Sequence, residues 1–197
     1  MPDTPYLTPA AIRARVPALA SEGDYPDSTL SDLVTEFEGI TENYRGVAFT
    51  ARTAVSETHT LDRERVIVTK WPVVSSVTSV AVVDRALVST SVLSTDWQIN
   101  RLNGIVDLGG YYTGVATIVY AHGITTPPAG LVRACRLYVR ACAMRDDSGI
   151  GRDVVRQGFD GGGSTTFSTP DKDHPTGYLD VDRLLNQLED YRRPGIA

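Results

Sequence analysis

The sequence predicts an α+β fold: a small helical bundle packed with an antiparallel β-sheet module, sandwich- or barrel-like, plus an extended C-terminal arm ending in an amphipathic helix. Three observations predict it. Helix-period text occupies both ends of the chain, and between Phe49 and Tyr120 the apolar period switches to two. A Gly-, Ser- and Asp-rich stretch then sets the last helix apart. The organisation expected is a core over 1–148, with helices at 9–16 and 28–45, a β region at 49–121 and a helix at 128–145. A flexible linker at 149–177 and a C-terminal docking helix at 178–193 follow.

The first helix is signalled by "LTPAAIRAR", where Thr8 can cap and Pro9 occupies the first helical position. Pro17 ends it. In "DSTLSDLVTEFEGITENYRG", Leu30, Leu33, Val34, Phe37, Ile40 and Tyr44 follow helical spacing, and Ser28 or Asp27 can cap. Asp32, Glu36, Glu38, Glu42 and Asn43 fall outside that stripe. The β region alternates through "FTARTAVSETHTL", "RVIVTK", "SVTSVAVVD", "DWQIN", "GIVDLGG" and "GVATIVYAHG". Pro72, Asn103-Gly104 and Gly109-Gly110 read as turns between these strands. After Thr126-Pro127-Pro128 the helical period resumes. In the final helix Asp180 can cap, Val181, Leu184, Leu185, Leu188 and Tyr191 form an apolar stripe, and Pro194 stops it.

Composition bounds the function classes. The 42% apolar content is enough for a buried core. No run approaches the roughly 18 apolar residues of a membrane span, and the N-terminus lacks a basic start followed by an apolar block. Cytoplasmic synthesis without membrane association is expected. Residues 1–60 carry 4 basic and 9 acidic side chains, 61–150 carry 9 and 7, and 151–197 carry 6 and 8. An acidic chain without a basic cluster does not look like one that grips nucleic acid by its phosphates. The acidic front and slightly basic middle can instead complement each other between copies.

The stretch "YAHGITTPPAGLVRACRLYVRACAMRDDSG" brings together His122, Cys135, Cys142 and four arginines. On one helix the two cysteines would stand about 10.5 Å apart at about 1.5 Å per residue, beyond the roughly 7 Å reach of a disulfide. They lie on the apolar side, where thiols behave as small hydrophobes. Arg133, Arg136 and Arg140 fall within about 60° of one another and form a basic seam. Zinc would need three or four converging ligands, and His59, His122 and His174 lie in distant segments. "GFDGGGS" lacks the Lys-Ser/Thr end of a phosphate cradle. "DKDHPTGYLDVD" places Asp171, Asp173 and Asp182 at calcium-loop positions, but Thr176 stands where that loop needs glycine. Trp71 and Trp97 lie in strand-like text that favours core burial. No catalytic, metal or cofactor residue is expected.

The order of elements resembles the head–tail connector (adaptor or head-completion) proteins of long-tailed bacteriophages and their relatives in gene transfer agents. The resemblance covers about three quarters of the chain. In that family a strand pair around "DW…" and "GIVxLG" is followed by a "VxYxxG…PPxxLxxAxxxxV" passage into a long helix. Here those positions are Asp96, Trp97, Gly104, Ile105, Val106, Leu108, Val119, Tyr120, Gly123, Pro127, Pro128, Leu131, Ala134 and Val139. The order of these motifs carries the resemblance. The resemblance implies a non-enzymatic virion protein, made in the host cytoplasm and placed in the neck at the portal vertex. It would form a ring, commonly of twelve copies, beneath the portal protein. The ring would extend the DNA channel without specific DNA binding and present a surface to a stopper or tail-completion protein.

Two residue sets follow as expectations. Asp32, Glu36, Glu38 and Glu42 would face Arg133, Arg136 and Arg140 of the next subunit. Val181, Leu184, Leu185, Leu188, Tyr191, Arg192 and Arg193 would dock on the portal or another partner, because an isolated helix of about 12 residues is marginal in water. The other reading of that stripe is that it folds back on its own core. Competing functions are a tail-completion or stopper protein of the same neck, a small enzyme with a scattered active site, and a ligand-binding β module presenting exposed aromatics.

Overall fold

The computed structural model describes residues 5–84, 86–93, 95–147, 156–158, 164–166 and 170–188. The fold is α+β, and the described chain divides into two compact units: a sheet unit from 46–126, and a helical unit from 5–45 and 127–188.

In the helical unit, α1 (Pro9–Arg13) starts as its sequence demands, with the Thr8 hydroxyl accepting from the Ala11 amide at 3.3 Å. It is shorter than expected. A residue before proline is pushed out of the helical region, and Val16 sits at φ −126° ahead of a 3₁₀ turn at Pro17–Leu19. Helix α2 (Asp27–Arg45) buries Leu30, Leu33, Val34 and Phe37.

Five strands make the sheet: β1 (Arg52–Val68), β2 (Val74–Val83), β3 (Ser89–Val92), β4 (Gln98–Asn100) and β5 (Ile105–His122). The order is β1-β5-β2-β3, with β4 also on β5, and every pairing is antiparallel. Alternation along β5 sends Val106, Leu108, Ala116, Ile118 and Tyr120 into a core shared with Leu61, Ile67, Val80 and Val82.

Two pairs of expected strands prove continuous. "FTARTAVSETHTL" and "RVIVTK" join in β1 through a bulge where Arg63 takes φ 55°. "GIVDLGG" and "GVATIVYAHG" join in β5. Gly109-Gly110, expected as a turn, lies at a register break: Glu64 pairs with Tyr112 while Val66 pairs with Asp107. Gly109 is required there twice over. Its φ is 74°, and a Cβ would run into the Asp96 carbonyl. Arg65 bridges the break to Asp107 at 2.7 Å.

The helical unit continues with α3 (Ala129–Asp147), a short antiparallel pair of β6 (Arg156–Gly158) and β7 (Ser164–Thr166), and α4 (Leu179–Asn186). The β6–β7 pair falls within the stretch expected as linker. Tyr178, rather than Asp180, is the N-cap of α4. Asp182 reaches back instead, accepting from the Thr176 amide at 3.0 Å and the Thr176 hydroxyl at 2.7 Å.

Candidate functional site

Helix α3 has two unlike sides. Leu131, Ala134, Cys135, Tyr138, Val139, Cys142 and Ala143 are all buried. They pack against α2 and α4, with Tyr138 between Phe37 at 5.4 Å and Tyr178 at 5.9 Å. Both cysteines are free thiols. Burial, reinforced by the nearby Glu38 carboxylate, pushes the Cys135 thiol well above its ordinary pKa, which suppresses the nucleophilic thiolate. Cys142 Sγ lies 3.7 Å from the Tyr178 hydroxyl. These groups serve packing.

The opposite side carries the arginine seam. Arg133 and Arg140 are exposed, and Arg136 and Leu137 are half-buried. With Arg15 they border a cleft of about 370 Å³ whose apolar lining includes Val16 and Leu137. A second depression beside it, between Leu7, Ala11 and Val132, shares Arg15 and Arg136. Among the described residues, no carboxylate pairs with any of these four arginines. The Arg136 Nε is buried and has no hydrogen-bond partner. Arg15 was absent from the sequence-derived set, because only the α1 turn brings it beside α3. Its neighbour Arg13 is bound elsewhere, to Asp27 and to the Tyr25 carbonyl.

The expected acidic partners are dispersed. Asp32 and Glu36 are exposed on α2, Glu42 is half-buried, and Glu38 is 2% exposed. Glu38 accepts from the Tyr6 amide at 2.6 Å, and Glu42 accepts from the Tyr6 hydroxyl at 3.4 Å. The N-terminal segment crosses that side of α2 and takes both carboxylates as acceptors. Glu38 therefore lies in the interior, not on an outer face.

Of the expected docking residues, Val181 and Leu185 are buried and Leu184 and Leu188 half-buried. Val181 and Leu185 are covered from within the helical unit: α4 packs on α3, and Arg45 of α2 donates from Nε to the Leu185 carbonyl at 2.9 Å. Tyr191, Arg192 and Arg193 lie outside the described residues.

Each histidine has its own local partners. In the sheet unit His122 is buried, stacks on Trp71 at 5.5 Å, and is pulled down to a pKa of about 4 by desolvation and the Arg52 charge. His59 meets Glu57 at 3.3 Å, and Glu57 also accepts from the Lys70 amide and the Tyr120 hydroxyl. His174 sits in a turn closed by Asp171, which accepts from the backbone amides of Asp173 and His174 at 2.7 Å each. Those bonds hold the Asp171 pKa below its ordinary value. Among the described residues no group of three or more His, Cys, Asp or Glu side chains could hold a metal ion. None of the helices described is long and apolar enough to cross a membrane. Trp71 and Trp97 are partly buried against the sheet core, and Tyr111 is exposed at 76%.

No protein-family model matches the chain, and no curated protein matches it significantly. Solved structures do. A chain from the neck of an empty gene transfer agent particle, computed with C6 symmetry, matches with a TM-score of 0.62 at 17% identity, over 96% of this chain and 92% of that one. A chain from the neck of a native gene transfer agent particle, computed with C12 symmetry, gives 0.54 at 17% identity, over 99% and 97%. A third, from the virion of a native gene transfer agent particle, gives 0.54 at 19% identity, over 86% and 81%. The chain thus has the fold of proteins in gene transfer agent necks, in keeping with its resemblance to head–tail connectors.

Proposed function

We propose that this chain is a structural protein of the neck of a phage-like particle, a head–tail connector that packs as a ring of identical copies beneath the portal. The observation that carries this reading is the fold likeness, which spans nearly the whole chain and nearly the whole of the neck proteins it matches. A ring of identical copies needs two different patches that meet head to tail. The arginine side of α3, which pairs with no carboxylate among the described residues, would supply one such patch. The chain's net charge of −5 suits a conduit through which DNA moves without being held. Its partners in this reading are the portal above, a stopper or tail-completion protein below, and its own copies on either side.

Deleting the coding sequence in the producing cell tests the role. A connector's loss should leave filled heads without tails, and purified chain added to those heads should restore tail attachment. If the chain instead co-purified with free tails from the deletion background of its neighbours, it would be a tail-completion protein. Tailed, infectious or DNA-transferring particles formed without it would remove the proposal.

A further inference from the structure

We propose that the four-arginine cleft is the acceptor for the exposed carboxylates Glu22, Asp24 and Asp32 of a second copy of this chain. The inference rests on the neck reading above and specifies its interface. Arg15, Arg133, Arg136 and Arg140 converge on one cleft of about 370 Å³, and among the described residues none has a carboxylate partner. Four like charges around one cleft favour an anionic occupant. A floor containing Val16 and Leu137 lowers the local dielectric, so an incoming carboxylate gains more there than in open solvent.

The occupant follows from what the rest of the helical unit leaves unused. Asp27 is bound to Arg13, Asp180 to Arg183 and Asp171 to His174. Asp182 is taken by Thr176, and Glu38 and Glu42 by Tyr6. Glu36 is taken by the Tyr138 hydroxyl. Among the described residues of the helical unit, Glu22, Asp24, Asp32 and Asp173 remain exposed without an ion-pair partner; Asp173 directly follows Lys172 in sequence, whereas the other three fall together in one stretch of chain. The first two lie in the loop that enters α2, and Asp32 lies early on that helix. Guanidinium groups with a fixed fork of donors suit carboxylates. The pairing is heterologous, so it continues from copy to copy. It also explains why the seam lies opposite the buried side of α3.

The test is a charge-swap cycle read by addition of purified chain to connector-less heads, with rings counted by electron microscopy. Arg133→Glu with Arg140→Glu should reduce ring formation at least about tenfold at 0.1 M salt, and the milder Arg133→Ala with Arg140→Ala should weaken it less and lower its salt sensitivity. Adding Asp24→Arg and Asp32→Arg to the glutamate variant should recover most of the loss, since each copy then offers both reversed patches. Thermal melts of every variant establish that each is folded. Rings formed by the glutamate variant as by the wild type overturn the proposal. A loss that the second swap fails to recover overturns the choice of occupant. Tight binding of a labelled duplex oligonucleotide by the wild type, abolished in the glutamate variant, would assign the cleft to phosphate instead. If the wild-type chain itself forms no ring on the heads, the neck reading fails, an outcome separate from these.

Discussion

On one side of α3, Cys135, Tyr138 and Cys142 are sealed beneath α2 and α4. On the other, three arginines of the same helix join Arg15 around a cleft where, among the described residues, no carboxylate pairs with them. The difference separates two kinds of burden within one helix. The first side stabilises the fold, because buried apolar area is proportional to the free energy gained. The second is, in our proposal, the side that meets a neighbouring copy. Helix α4 belongs with the first side, since Val181 and Leu185 are as deeply buried as the α3 core.

The strongest way to break this contrast is to truncate α4. Leu185→Ala should destabilise the helical unit by about 2–5 kcal/mol in chemical denaturation, the usual range for a fully buried leucine. A loss below about 0.5 kcal/mol would mean that α4 is an arm awaiting an external partner.

The sheet unit offers a second closed region for comparison. His122 is held neutral, with its folded pKa of about 4 lying below the ordinary 6.5. Between those values the unfolded chain binds the extra proton, so stability falls as pH drops from about 6.5 to 4. At about 1.36 kcal/mol per pKa unit the loss is about 3 kcal/mol. Denaturation midpoints measured across that window should flatten in His122→Gln relative to the wild type.

Smaller effects follow on α3 itself. Cys135→Ser places a hydroxyl in an apolar site and should cost about 1–3 kcal/mol. Both thiols should resist a thiol reagent until the chain unfolds. Smallest of all, Arg133→Ala with Arg140→Ala should change stability by no more than about 0.5 kcal/mol per site, while impairing assembly. A large stability loss there would show that the arginine side belongs to the fold.

Much of this architecture was legible beforehand because it is local. Thr8 before Pro9 announces a capped helix, and Leu30, Leu33, Val34 and Phe37 announce the buried face of α2. What escaped depends on chain segments meeting from a distance. Glu38 looked like a surface acid until the Tyr6 amide crossed over it. Gly109-Gly110 has the composition of a turn, yet the approach of the Asp96 carbonyl makes it a bulge inside β5. Arg15, more than a hundred residues before α3 in sequence, joins the seam only through the tertiary fold of the helical unit. The stripe of α4 was visible, but amphipathicity states only that something covers it.

The most direct test of the account is a three-dimensional map of the neck of assembled particles at side-chain resolution. The account predicts a closed ring of this chain around the channel, with Arg133 and Arg140 of each copy within 4 Å of carboxylates on the next. A complete neck lacking this chain, or a ring in which those arginines face open solvent, would contradict it.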